Sequence, residues 1–339
     1  MSDTEVALPR PPLEALPWQA PALERLRTAV DSGRLPHAVL VQGPAGVGKE
    51  VFASALAAAL LCTARGPALA ACGQCPECRL YVARSHPDLH WVRPEEERRT
   101  IGVDQVREAC EQLAMTSQRR GARIAVFSPA EVMTPSAQNA LLKTLEEPAP
   151  QTLMVLLAAR PSRLLATLRS RCQRLEIPCP PAAQATAWLV AATGADVPPG
   201  LLASSGGAPL RALALAPHFA DLDAGMTELL EAVVAGHAEP CGAAARMLGE
   251  GLPHRLDWFE GWLAQAIRAR AVPTGMGLTV HRAPLLQRSA AELNMGAAFR
   301  LLDRIREVRR LLEGSAAAQL LLESLMVEAA SVLGRRGLA

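Results

Sequence analysis

The chain has 339 residues, half of them hydrophobic, with 27 Pro and 24 Gly, which is too long for one simple core and excludes a disordered or fibrous protein. Its 35 basic and 33 acidic residues leave a formal charge of +2, and it carries only 5 Trp, 1 Tyr and 5 Phe, so it has neither the charge that wraps nucleic acid nor an aromatic platform for stacking bases. No apolar run reaches the length of a membrane span and no export signal opens the chain, so a cytoplasmic protein without a membrane partner is expected, and its eight cysteines point to metal or free thiols rather than disulfides.

Residues 1–15 are Pro-rich and expected to be loosely held. Residues 22–32 read as a helix with Leu23, Leu26 and Val30 on one face. Residues 37–41 read as a short buried strand and Lys49–Leu61 as an Ala/Leu helix. Between them lies QGPAGVGKE, residues 42–50, which almost completes the phosphate-binding pattern G-x-x-x-x-G-K-[ST]. In that pattern glycines turn backbone N–H groups toward phosphate, the lysine reaches the outer phosphates and the hydroxyl holds Mg²⁺. Gly43, Gly46, Gly48 and Lys49 are in place, but Glu50 stands where the hydroxyl is needed. The sequence therefore describes a loop of nucleotide-binding descent that no longer drives hydrolysis. Nucleotide could still bind through the backbone amides and Lys49, and the residues leave that alternative open.

Cys62 follows, then Cys72, Cys75 and Cys78 in CGQCPEC. Four sulfurs at this spacing match a closed tetrahedral thiolate site, which predicts structural zinc without a catalytic role. Cys110, Cys172, Cys179 and Cys241 stand alone and read as small buried or partly buried apolar residues. His86-Pro87-Asp88 reads as a turn before a strand at Leu89–Val92. Residues 95–99 form a charged, solvated loop. A helix then opens with Asp104 as its cap and Val106, Ala109, Cys110 and Leu113 inside. Arg123–Phe127, RIAVF, is a second buried strand. A working P-loop ATPase places its metal-organising acids at the end of this strand. Here the chain reads Ser128-Pro129-Ala130-Glu131, and Glu131 falls late enough to be read as a surface carboxylate.

The next stretches are more specific: PSAQNALLKTLEEP at residues 135–148, a strand at 154–159, and LLATLRSRC at 164–172. Together they resemble the clamp-loader branch of the AAA+ ATPases, densely over residues 16–220 and weakly beyond. The resemblance implies an α/β P-loop AAA+ domain, a parallel sheet flanked by helices, over residues 1–179 with a zinc module at 62–78. An all-α lid over 180–218 and an all-α C-terminal collar over 219–339 would follow. In that family the arginine of SRC reaches the ATP of a neighbouring subunit; Arg171 matches it, and a delocalised guanidinium suits charge on a transferring phosphoryl group. Arg169 and Arg174 read as solvated charges. Ala158-Ala159-Arg160 stands where motor subunits place a polar sensor, and Leu210, with Arg211 beside it, where the lid's sensor arginine would align.

The resemblance thus implies a stator. It would not turn over ATP itself, and would sit in a hetero-pentameric ring with motor and delta subunits that loads the sliding clamp of a DNA-directed DNA polymerase, a nucleotidyltransferase, onto primed DNA. Two other classes stay open: an active AAA+ ATPase with unusual Mg²⁺ ligands, and a zinc-dependent DNA-binding protein. ATP turnover and salt-dependent DNA binding by the isolated chain separate them. Pro178-Cys179-Pro180-Pro181 reads as a linker. Beyond residue 219 only helices are expected. Leu301, Leu302, Ile305, Val308, Leu311 and Leu312 share one helical face with Arg304, Arg306, Glu307 and Arg309 outside, and residues 318–332 form a last helix with a broad Leu/Met face.

Overall fold

The computed structural model describes residues 11–95, 98–119, 121–249, 251–271, 293–312 and 317–333; most of the Pro-rich start and part of the charged 95–99 loop lie outside them. The chain divides into two compact units between Pro180 and Pro181, inside the Pro-rich run.

The first unit is built on five strands: β1 Ala38–Gln42, β2 Leu89–Val92, β3 Arg123–Phe127, β4 Thr152–Ala158 and β5 Gln173–Glu176. All pairings are parallel, in the order β2-β3-β4-β1-β5. Val39 faces Val155 across β1 and β4, and Ala125 faces Met154 across β3 and β4. Every residue of β3 and β4 is buried, as befits a parallel sheet covered on both sides, and this is why the two read as continuous apolar runs. On one face Leu40, Phe127 and Leu156 pack with Val106 and Leu113 of helix α4, Val103–Ala114, and with Leu141 of α5, Pro135–Glu146. In our numbering α1 is Ala20–Asp31, α2 Lys49–Leu61, α3 Pro76–Val82 and α6 Ala166–Arg171. Helix α2 lies against β4 and is buried nearly all round, which explains its alanines: small side chains let a helix sit between neighbours without a polar face.

One strand goes beyond the sequence reading, and two local expectations are corrected. The sequence pattern offers no strand at Gln173–Glu176, because only Leu175 is buried and its neighbours are polar; the strand exists because its backbone pairs along β1. Asp104 does not cap α4. The cap residue is Gly102, whose N–H donates to Gln105 Oε1 at 3.0 Å, and Asp104 pairs with Arg107 instead. Cys241 is exposed rather than buried or partly buried.

The second unit is helical over its described residues: α7 Ala182–Thr193, α8 Leu201–Ser204, α9 Pro209–Leu215, α10 Phe219–Val234, α11 Pro240–Met247, α12 Leu252–Ala271, α13 Met295–Leu312 and α14 Ala318–Leu333. One core runs from Leu189 and Leu201 through Phe219, Trp258 and Phe259 to Ile305, Leu325 and Met326. Leu301, Leu302, Ile305 and Val308 form the inner face of α13, but Leu311 is exposed. Arg309 is turned onto α12, where it meets Asp257 at 2.6 Å and Glu260 at 2.8 Å. Burial opposes ionisation of Glu260, yet Arg309 and Arg306 hold its carboxyl below the usual range. Arg211 is committed to the same cluster, its Nε donating to Asp257 Oδ2 at 2.9 Å.

Candidate functional site

The glycine loop leaves the carboxyl end of β1, where ligands bind in open α/β sheets. A Cβ on Gly43 would stand 2.1 Å from the carbonyl oxygen of Ile177, and the Ile177 N–H donates to Gln42 O at 2.8 Å; only glycine fits beneath the end of β5. Gly48 has φ of 83° and is the N-cap of α2, a left-handed position that glycine occupies without penalty. Lys49 Nζ donates to the carbonyls of Gly43 at 3.1 Å and Pro44 at 2.9 Å. Two residues that the sequence pattern does not single out brace the loop from outside. Trp18 Nε1 donates to Val47 O at 3.0 Å, and Gln19 Nε2 donates to Val47 O at 3.1 Å and Gly48 O at 2.7 Å. Gln19 is fully buried. A Trp-Gln pair just ahead of a helix is the only hint the sequence holds of this.

The two departures from a working P-loop touch each other. In active enzymes a hydroxyl on the loop helix and an acid at the end of the third strand share the metal. Here the acid and the hydroxyl have exchanged places. Ser128 Oγ donates to Glu50 Oε1 at 2.5 Å, and Arg93 Nη2 donates to Glu50 Oε2 at 3.0 Å. The Arg93 guanidinium lies 4.3 Å over the Trp91 ring. The carboxylate is thus compensated by a cation of the chain's own.

Glu131 is not a surface carboxylate. It is 7% exposed, and its Oε1 accepts from the N–H groups of Ala159 at 2.9 Å and Arg160 at 3.1 Å. It fastens the segment after β4, where a motor subunit would carry its sensor.

Arg171 ends α6 at the surface, its side chain 38% exposed. Leu168 anchors that short helix in the core, and Gln138 Oε1 of α5 accepts from Leu165 N–H at 2.8 Å. Arg171 Nη1 donates to Thr167 O at 3.0 Å and Nη2 to Glu146 Oε1 at 2.7 Å. The two most specific stretches of sequence therefore meet at this ion pair.

The four clustered cysteines also come together. All their sulfurs lie within 4.8 Å of one another, with Cys62 to Cys75 at 3.8 Å and Cys72 to Cys78 at 4.0 Å. A tetrahedron with Zn–S arms of about 2.3 Å has edges of about 3.8 Å, so the group fits such an ion. The N–H groups of Cys72, Cys75 and Cys78 donate to the sulfurs of Cys62, Cys72 and Cys75 respectively. Burial opposes ionisation of Cys75, yet donors from Cys78 and Thr63 bring its thiol down to about 5. Burial pushes Cys78 up to about 12. The four sulfurs lie close enough to share one cation, which would draw off the protons that burial otherwise keeps on Cys62 and Cys78, so the cluster can hold a metal ion. Cys172 lies apart from that group, packed in the core beneath the sheet, and burial raises its thiol to about 11.

His86 and Asp88 do form the turn before β2, but both are buried. His86 Nδ1 accepts from Asp88 N–H at 3.2 Å and Nε2 lies 3.1 Å from Glu77 Oε2. Glu77 also takes a forked bond from Arg119. These contacts tie the cysteine module to the sheet.

A parallel sheet in this order, with a glycine loop and helix after its first strand and a helical unit following, defines a subunit of the AAA+ ATPase fold. Residues 18–181 match the family described as DNA polymerase III, delta subunit. The chain is 36% identical over 332 residues to the DNA polymerase III subunit delta' of Pseudomonas aeruginosa, covering 94% of this chain and 98% of that one. It is 36% identical over 258 residues to the corresponding subunit of Escherichia coli, covering 74% and 76%. The chain belongs to the delta' family and is a clamp-loader subunit of DNA polymerase III. Among solved structures it aligns with a gamma subunit-related protein of DNA polymerase III from Thermotoga maritima at a TM-score of 0.45 and 18% identity, over 92% of this chain and 99% of that one. Among the described residues, no helix is long and apolar enough to cross a membrane.

Proposed function

We propose that this chain acts as the stator of the clamp loader: it offers Arg171 to the ATP of an adjoining motor subunit and does not turn over ATP at its own glycine loop. The observation that carries this reading is the exchanged pair Glu50 and Ser128, bonded at 2.5 Å. A divalent cation would have to displace Ser128 and Arg93 from that carboxylate, and the acid that would hold it from the strand side is missing. Lys49, bound to the loop's own carbonyls, fits a loop that serves structure first.

Arg171 supports the other half of the reading, since it stands exposed at the end of a short, well-anchored helix. Its partners would be the motor and delta subunits of a hetero-pentameric ring, and through them the sliding clamp and primed DNA. Residues 180–218 would serve as the lid and 219–339 as the collar. Their shared core and the tie of Arg211 to Asp257 favour one stiff element over a moving lid. The cysteine cluster holds structural zinc in this reading, the closed Cys₄ set leaving no position for substrate.

The test is ATPase activity with and without the rest of the loader. The isolated chain is expected to show no turnover, and R171A to assemble normally while lowering the loader's ATPase by about 10³-fold at the affected site. Motor-like turnover by the chain alone, or an unchanged loader rate with R171A, would overturn the stator reading.

A further inference from the structure

We infer that Glu146 is a positioning residue for the Arg171 finger. The inference rests on the finger role proposed above and adds the group that aims it. Glu146 closes α5 and Arg171 closes α6, and their side chains meet at 2.7 Å. The Thr167 carbonyl holds the other terminal nitrogen at 3.0 Å. Two anchors therefore fix both ends of the guanidinium fork. The group has five N–H donors, so Nε and the second hydrogen on each terminal nitrogen stay available for a phosphate oxygen. A free arginine side chain samples many rotamers, and freezing them at the moment of reaction costs rate. Held by Glu146, the finger is biased toward one orientation before the neighbouring nucleotide arrives, without being locked there.

The contact is also weak enough not to compete. Both side chains are over a third exposed, Arg171 at 38% and Glu146 at 54%, and exposed ion pairs contribute little to folding. Its effect is thus expected in the chemical step and not in stability. The surrounding charge agrees. Between Arg160 and Arg174 the chain carries Arg160, Arg163, Arg169, Arg171 and Arg174 and no acid, so the carboxylate that meets Arg171 has to come from another stretch of the chain, and α5 supplies it.

The experiment uses the complete loader reconstituted with E146A, E146Q, R171A and the double variant, measuring kcat and KM for ATP in the presence of clamp and primed DNA. E146A is expected to lower kcat about 2- to 5-fold, the scale set by an exposed ion pair, with KM, ring assembly and melting temperature unchanged. E146Q keeps an acceptor oxygen at the same reach and should retain most of the rate. E146A placed on R171A should add nothing. If R171A lowers the rate but E146A does not, or if E146A lowers it further in the R171A background, or if E146Q falls as far as E146A, the positioning role is overturned while the finger stands. An R171A loader of normal rate would instead remove the finger itself.

Discussion

Loss of metal from the cysteine module should loosen α3 and through it the sheet domain. The perturbation is Cys75→Ser, which removes one sulfur of a pair standing 3.8 Å apart. Structural zinc binds small thiolate modules with roughly 10 to 16 kcal/mol, more than local packing alone can replace, so residues 62–82 should lose their fixed fold. What the rest of the domain then forfeits is set by what the module buries against it. Tyr81 is 3% exposed and its phenol donates to Ser54 O on α2 at 2.8 Å. Burying such a ring contributes about 2 kcal/mol and the hydrogen bond about 1 kcal/mol. For a chain of this size each lost kcal/mol lowers the melting midpoint by roughly 2–4 °C, so a drop of about 6–12 °C is expected. The assay combines metal analysis of the purified chain, thermal melting, and hydrogen exchange over residues 62–82. Wild-type chain free of metal that melts no lower, or a Cys75→Ser variant with unchanged exchange in the module, would refute the reasoning.

Two further outcomes are expected. Glu131→Ala strands the amides of Ala159 and Arg160, which now donate to Oε1; bonds to such a group are worth about 1.5–3 kcal/mol in a dry site, so a loss of about 2–3 kcal/mol in urea unfolding is expected, with Glu131→Gln recovering most of it. His86 titrates below its ordinary value because burial outweighs the pull of Glu77 and Asp88. The unfolded chain therefore takes up this proton first, and stability should be full above pH about 6.5 and fall as pH drops through the window between that value and the folded one. His86→Gln should flatten that slope in urea midpoints taken across pH 5 to 7, and an unchanged slope would remove His86 as its source.

Much of the first unit was legible because its strands are buried on both faces. RIAVF and the run ending in Ala158 leave no polar phase to mislead, and the glycine loop stood between an apolar run and an Ala/Leu helix, the context its motif requires. The cysteine spacing was equally direct, since the turn geometry is local. Glu131 was misread for the opposite reason: nothing in Pro129-Ala130-Glu131 announces that its carboxylate reaches the amides beyond β4, twenty-eight residues on. Gln19 and Arg309 were hidden in the same way, their polar ends satisfied by partners distant in the chain.

By itself the sequence determined most of the elements of the first unit, the cysteine cluster and two features of the nucleotide machinery, a loop lacking its hydroxyl and the arginine of SRC. Periodicity and spacing are local quantities, and these are written in neighbouring residues. Only the tertiary structure decided that Glu50 and Ser128 are one exchanged pair, that Glu146 meets Arg171, and that Arg211 is taken up by Asp257. Each of those joins side chains brought together by packing, and the energy of burying a charge is set by what it meets there.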